Sequence, residues 1–178
     1  MHAWLERIEW LDQGGPSDAE LERAARPIQA IGLDLRAEIK NFRRAIRKPD
    51  LQAVFSKSAY RNPQSLGFGK EACRALGDNF ELQVERERRF ALRNNESLLV
   101  GSMDRLVLFY HGSQLVAAEI VDFKTDQITG DQQAAERLAF YRPQLEAYRA
   151  ACAKMLQLPA ERILCRVAFT EPGLVCVV

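Results

Sequence analysis

The stretch from Val100 to Thr125, VGSMDRLVLFYHGSQLVAAEIVDFKT, decides how the rest of this 178-residue chain reads. Two runs rich in β-formers, Leu98 to Tyr110 and Gln114 to Lys124, flank Tyr110-His111-Gly112-Ser113, which predicts a hairpin. Alternation along the second strand puts Asp122 and Lys124 on one face with Ala118 and Ile120, and turns Val121 and Phe123 to the other. An acid and a base then stand about 7 Å apart along the strand, two residues at roughly 3.3 Å each. Asp104 on the partner strand reaches the same surface near its end.

Two carboxylates and a lysine on one sheet face are a chemical proposal. Hard oxygen ligands suit Mg²⁺ or Mn²⁺, which keeps waters that a substrate phosphate can displace. Such an ion polarises a phosphoryl oxygen and acidifies water, and a lysine beside it positions the water or steadies charge on the phosphoryl oxygens. A second reading of the same residues stays open. Asp104-Arg105 also describes a strand-end ion pair, Asp122 and Lys124 a solvated cross-face pair, and Asp-x-Lys alone is common.

The longer string is more specific. Gly101-x-x-Asp104-Arg105, a hairpin, Ile120-Val121-Asp122-Phe123-Lys124-Thr125 and then Tyr141-x-x-Gln144-Leu145-x-x-Tyr148 resembles the nuclease domain of RecB and AddA helicase-nucleases, a branch of the PD-(D/E)XK superfamily. The likeness is dense from Glu85 to Met155, with a weaker part at the N-terminus. It implies that Asp104 and Asp122 are metal ligands joined by the main-chain carbonyl of Phe123, that Lys124 is the catalytic lysine, and that Gln144 and Tyr148 act near the lysine and DNA. His2, in His2-Ala3-Trp4-Leu5-Glu6, matches a histidine of the first helix that reaches the metal. Glu87, in Arg86-Glu87-Arg88-Arg89-Phe90, matches a glutamate position whose part in the site is left open, since it also suits pairing with neighbouring arginines.

Composition sets the bounds. The length suits a single domain over 1–178, and 47% hydrophobic with 28% charged residues is ordinary for a globular protein. A net charge of +1 is uninformative, but arginines gather in Arg43-Arg44-x-x-Arg47-Lys48 and Arg86-x-Arg88-Arg89-x-x-x-Arg93, as either a phosphate-contacting groove or solvated faces. No membrane span is visible, and Glu6, Glu9 and Asp12 make the start too acidic for a secretory signal, so a cytoplasmic location is expected. Some relatives of RecB hold an iron–sulfur cluster with one early and three late cysteines. Here the late ones, Cys152, Cys165 and Cys176, are too widely spaced, so reduced, mostly buried thiols and no cluster are expected.

Along the chain, His2 to Leu11 reads as an amphipathic helix, Gly14-Gly15-Pro16 breaks it, and Ser17-Asp18-Ala19-Glu20 is a capping box opening a helix that ends near Pro27 or Gly32. Helices follow over Leu33 to Ile46 and from Pro49 to Phe55. Lys57 to Gly69 reads as a surface loop, Lys70 to Leu76 as one or two helical turns. The period changes to two from Phe80, and Asn94-Asn95 turns into the strand of Asp104. A helix from Gln132 to Leu156 shows Leu138, Tyr141, Leu145, Tyr148, Cys152 and Met155 on one stripe, with Pro143 expected to kink it or mark where it becomes regular. Strands over Arg162 to Thr170 and Leu174 to Val178 complete it.

This is a mixed α/β (α+β) plan. With the resemblance it implies a restriction-endonuclease-like αβββαβ core over 80–178 with a mixed central sheet, and extra, mainly helical decoration over 1–78. The same resemblance implies a Mg²⁺- or Mn²⁺-dependent deoxyribonuclease, an exonuclease in DNA end processing, recombination and repair. Single-stranded DNA is its expected substrate. Upstream UvrD/Rep-type helicase domains or a helicase-nuclease partner subunit are expected, because the chain starts at His2's helix without the Gly-Thr that often precedes it. The alternatives are a non-catalytic DNA-binding or bracing domain of a helicase, and a standalone phage-type exonuclease.

Overall fold

The computed structural model describes residues 1–26, 34–94 and 97–178. Its centre is a five-stranded mixed sheet in the order β1-β2-β3-β4-β5, formed by β1 (Glu81–Asn94), β2 (Ser97–His111), β3 (Gln114–Lys124), β4 (Ile163–Phe169) and β5 (Leu174–Val177). Pairing is antiparallel except between β3 and β4, which run parallel. A parallel pair needs a crossover, and the helix Asp131–Leu156 supplies it. The fold therefore is the mixed α/β plan that the pattern of strands and the late helix implies.

Six shorter helices precede the sheet in the described chain: α1 (His2–Leu5), α2 (Asp18–Ala25), α3 (Leu35–Ala45), α4 (Pro49–Phe55), α5 (Pro63–Leu66) and α6 (Lys70–Leu76); the crossover is α7. α1 to α4 cover one sheet face with Trp4, Leu21, Phe42, Leu51 and Phe55 packed on Val121 and Phe123. α5 and α6 extend that layer over Val107, Phe109 and Ala117. α7 covers the opposite face, where Leu145 and Cys152 meet Leu106, Ala118, Ile120 and Val167. At about 1.5–3 kcal/mol for each fully buried large apolar side chain, these two interfaces supply the dominant favourable term. Leu138, Tyr141, Tyr148 and Met155 lie along the same α7 face as predicted, and the helix runs on through Pro143.

The hairpin forms with Gly112 at φ 57, the left-handed conformation a tight two-residue connection requires. The capping box is present: Ser17 Oγ accepts from Glu20 N, and Glu20 reaches back to Ser17 N. The expected end of that helix near Pro27 or Gly32, the start at Leu33 of the next, and Asn95 of the expected turn lie outside the described residues.

Two expectations need correction. The first helix stops at Leu5 instead of running to Leu11. Past that point the buried Arg105 guanidinium holds the non-helical chain: it donates to Ile8 O (3.0 Å) and Glu9 O (2.8 Å) and sits over the Trp10 and Phe55 rings. The region Lys57 to Gly69 is not a plain surface loop but a 3₁₀ turn (Lys57–Arg61) followed by α5, because Tyr60 is fully buried and hydrogen-bonded to Glu119.

Regular alternation breaks on β1 and β2 as well as at the shift in β2–β3 register between Phe109 and Tyr110. Val84 and Phe90 are both even-numbered on β1, yet Val84 packs under α5 and α6 while Phe90 packs under α7. Val107 and Met103 on β2 divide the same way. Pairing continues on both sides, from Arg86↔Arg105 to Arg88↔Met103, and between them Glu87 adopts φ 51. A left-handed non-glycine residue therefore exchanges the faces of the ribbon, and it does so opposite Asp104.

Candidate active site

β2 and β3 stop pairing after Arg105↔Val121. Asp104, the next residue outward on β2, turns its carboxylate into the gap, and Oδ2 accepts from Phe123 N at 2.8 Å. That bond fixes Asp104 against the backbone segment linking Asp122 to Lys124. Asp122 is buried beneath α7, and among the described residues its Oδ2 has no partner except the Lys124 ammonium at 2.6 Å. Burial pushes the Asp122 carboxyl above the usual range; Lys124 opposes this and the Asp104 charge adds to it.

Lys124 is held from several sides. Its Nζ donates to Gln144 Oε1 (3.3 Å), and Gln144 Nε2 donates to Tyr148 OH (2.9 Å). The ammonium lies 4.5 Å from the centre of the Tyr141 ring, and Tyr141 OH donates to Asp126 Oδ2 (2.9 Å), itself paired with Arg137. The lysine carbonyl is capped by Thr170 N at 2.8 Å, tying β3 to the end of β4. Gly101 is explained here too: a Cβ would meet the Phe90 ring at 2.6 Å and Tyr148 at 3.2 Å, so only glycine lets β2 close on α7.

The N-terminus completes the arrangement. His2 Nε2 lies 3.0 Å from Glu87 Oε1 and 3.4 Å from Asp104 Oδ1. The hydrogen bond to Asp104 is the main reason His2 is pushed up to about 9; burial opposes it and Glu87 reinforces it. Glu87 Oε2 also accepts from Ser102 Oγ (3.1 Å). Glu6, one helical turn after His2, brings a third ligand atom, and His2, Glu6 and Glu87 offer donor atoms all within 4.8 Å of one another.

His2, Asp104, Asp122, Lys124, Gln144 and Tyr148 are thus brought into one continuous cluster, with Phe123 between its acid and its base. Glu87 joins it rather than only an arginine, although Glu85 does pair with Arg88. Glu6 and Tyr141 were not singled out as site residues. The i,i+4 spacing of His2 and Glu6 was an available signal for the first, whereas Tyr141 needed the fold to bring its ring over Lys124. The cluster fits a divalent cation. Among the described residues the donor atoms close enough to share an ion are those of His2, Glu6 and Glu87, with Asp104 3.4 Å from His2, whereas the buried Asp122 oxygen faces the Lys124 ammonium.

The basic clusters divide. Arg43 donates to Pro16 O and Asp18, and Lys48 to Glu171 O, so both serve the chain's own packing. Arg86, Arg88, Arg89 and Arg93 are exposed along β1. Cys152 on α7 and Cys165 on β4 are buried where the two elements pack, and burial pushes their thiols up to about 12 and about 11. Among the described residues no helix is long and apolar enough to cross a membrane.

A mixed sheet, a crossover helix and an Asp/Asp/Lys constellation at the point where two strands separate define a metal-dependent phosphodiesterase architecture. The chain belongs to the PD-(D/E)XK nuclease superfamily, which residues 1–174 match. No curated protein matches it. Membership implies a hydrolase of phosphodiester bonds that uses a divalent metal ion and takes DNA as substrate.

Proposed function

We propose that this domain is a Mg²⁺-dependent exodeoxyribonuclease of the RecB/AddA type, serving a helicase-nuclease in end processing, recombination and repair. Asp104, Asp122, the Phe123 carbonyl and His2 hold the ion, with Glu87 as a further donor. Mg²⁺ held there would supply a Lewis acid for the phosphoryl oxygen and for a water. The protein's own groups do the rest. Lys124 orients the attacking water and meets charge growing on the phosphoryl oxygens, while Gln144, Tyr148 and the Tyr141 ring hold its ammonium independently of Asp122. The water oxygen bonds to phosphorus, the phosphorus–oxygen bond to the leaving alcohol breaks, and the products are a phosphate monoester and a hydroxyl.

The observation that carries this reading is the Phe123 N–Asp104 bond beside the Lys124–Asp122 pair, which locks two acids and an amine around one gap in the sheet. The test is cleavage of linear single-stranded DNA with Mg²⁺ or Mn²⁺, comparing the native sequence with Lys124→Ala and Asp122→Ala. Loss of a positioned transition-state group is expected to lower kcat by about 10²–10³. Activity that survives both changes rejects the assignment.

A further inference from the structure

Beyond Glu87 the first two strands continue without the rest of the sheet. The last β2–β3 rung is Arg105↔Val121, whereas β1 and β2 stay paired from Arg88↔Met103 to Asn94↔Ser97. These six further steps make a two-stranded arm about 20 Å long at roughly 3.3 Å per residue. One face is occupied: Phe90, Leu92 and Met103 pack under α7, Phe90 meets Tyr148 edge-on, and Lys154 Nζ donates to Arg93 O.

The other face is open. Its rungs are Arg89↔Ser102, Ala91↔Val100 and Arg93↔Leu98, so arginines line one strand and apolar side chains the other. Arg89 and Arg93 are exposed, and Leu98 and Val100 are 65% and 64% exposed. The face runs directly into the candidate active site, because Ser102 Oγ donates to Glu87 and Glu87 contacts His2. The reversal at Glu87 is what places this mixed face, rather than the one under α7, in line with the cluster.

We infer that this face of the arm is a binding surface for the single strand of DNA whose end is being cut, an inference that rests on the nuclease reading above. The two arginines, four residues and about 13 Å apart, take backbone phosphates about two nucleotides apart. Leu98 and Val100 lie against the unpaired bases. A single strand offers both chemistries at once, a row of anions with exposed apolar base faces beside it, and each supplies what the opposite strand of the arm lacks. An apolar protein partner would instead bury Arg89 and Arg93 without counter-charge.

The test is fluorescence anisotropy with a labelled oligothymidine of about twenty nucleotides, in a Lys124→Ala background so that the probe survives. For a single strand the salt slope changes by about 0.7 per phosphate contact, so Arg89→Ala/Arg93→Ala is expected to flatten it by about 1.4. Affinity at 0.15 M salt should fall roughly ten-fold. Leu98→Ser/Val100→Ser is expected to weaken binding with the slope unchanged. All four side chains are exposed, so thermal melting serves as the folding control. Unchanged affinity in the arginine variant overturns the proposal, as does weaker binding with an unchanged slope.

Hydrolysis of bis(4-nitrophenyl) phosphate, too small to reach the arm, keeps this separate from the nuclease reading. With Lys124 present, the arm variants should hydrolyse it at the native rate. If the native sequence cleaves neither this diester nor DNA, the nuclease reading fails while the anisotropy still decides whether the arm binds a strand.

Discussion

β3 carries two buried acids three residues apart, and they meet opposite fates. On the helical face, Glu119 pairs with Arg166 (2.5 Å) and accepts from Tyr60 OH (2.5 Å), and Arg166 also donates to Tyr60 OH. On the α7 face, Asp122 pairs with Lys124 at 2.6 Å. The first cluster is sealed, with Tyr60 and Glu119 fully buried. The second opens outward through Asp104 at 13%, Lys124 at 18% and His2 at 46% side-chain exposure. Burial works against the Arg166 charge but Glu119 and Tyr60 together more than restore it, whereas around Asp122 burial outweighs what Lys124 returns. An acid–base pair closed over by a third partner is a structural tie; one left short of partners at a sheet opening is a site that can accept a cation.

The sharpest way to break this contrast is Glu119→Ala. It leaves a buried guanidinium without its counter-charge, so unfolding free energy by denaturant titration should fall by about 3–5 kcal/mol. Cleavage per folded molecule should not change. Asp122→Asn should act in the opposite sense: without metal, removing a carboxylate that burial disfavours is expected to raise stability while abolishing cleavage. A loss of stability there would place Asp122 with Glu119 among the structural ties. The smallest effect belongs to Gln144→Ala. It removes one hydrogen bond to Lys124, and kcat should fall roughly five-fold, about 1 kcal/mol of barrier, with KM and melting temperature held.

Much of this was readable before any coordinates, because strand alternation is a strict code. Asp122, Lys124, Ala118 and Ile120 could share a face only one way, and the stripe from Leu138 to Met155 could pack only as one side of a helix. What was not readable depends on contacts across long stretches of chain. Arg105 holds the chain that follows the first helix from 96 and 97 residues away. Tyr60 is drawn out of an apparent loop by Glu119, 59 residues on. Neither partner leaves a local signal, since a polar residue seeking a distant carbonyl or carboxylate looks the same as one facing water. The conformation of Glu87 was hidden for another reason: glutamate has no preference for the left-handed region, so only tertiary demand puts it there.

Position 87 therefore carries two separable duties. Glycine there would keep the backbone inversion at no steric cost while deleting the acid, and glutamine would keep the reach of the side chain while deleting its charge. A nuclease altered at this one codon could lose its carboxylate there while its projecting ribbon keeps its aim.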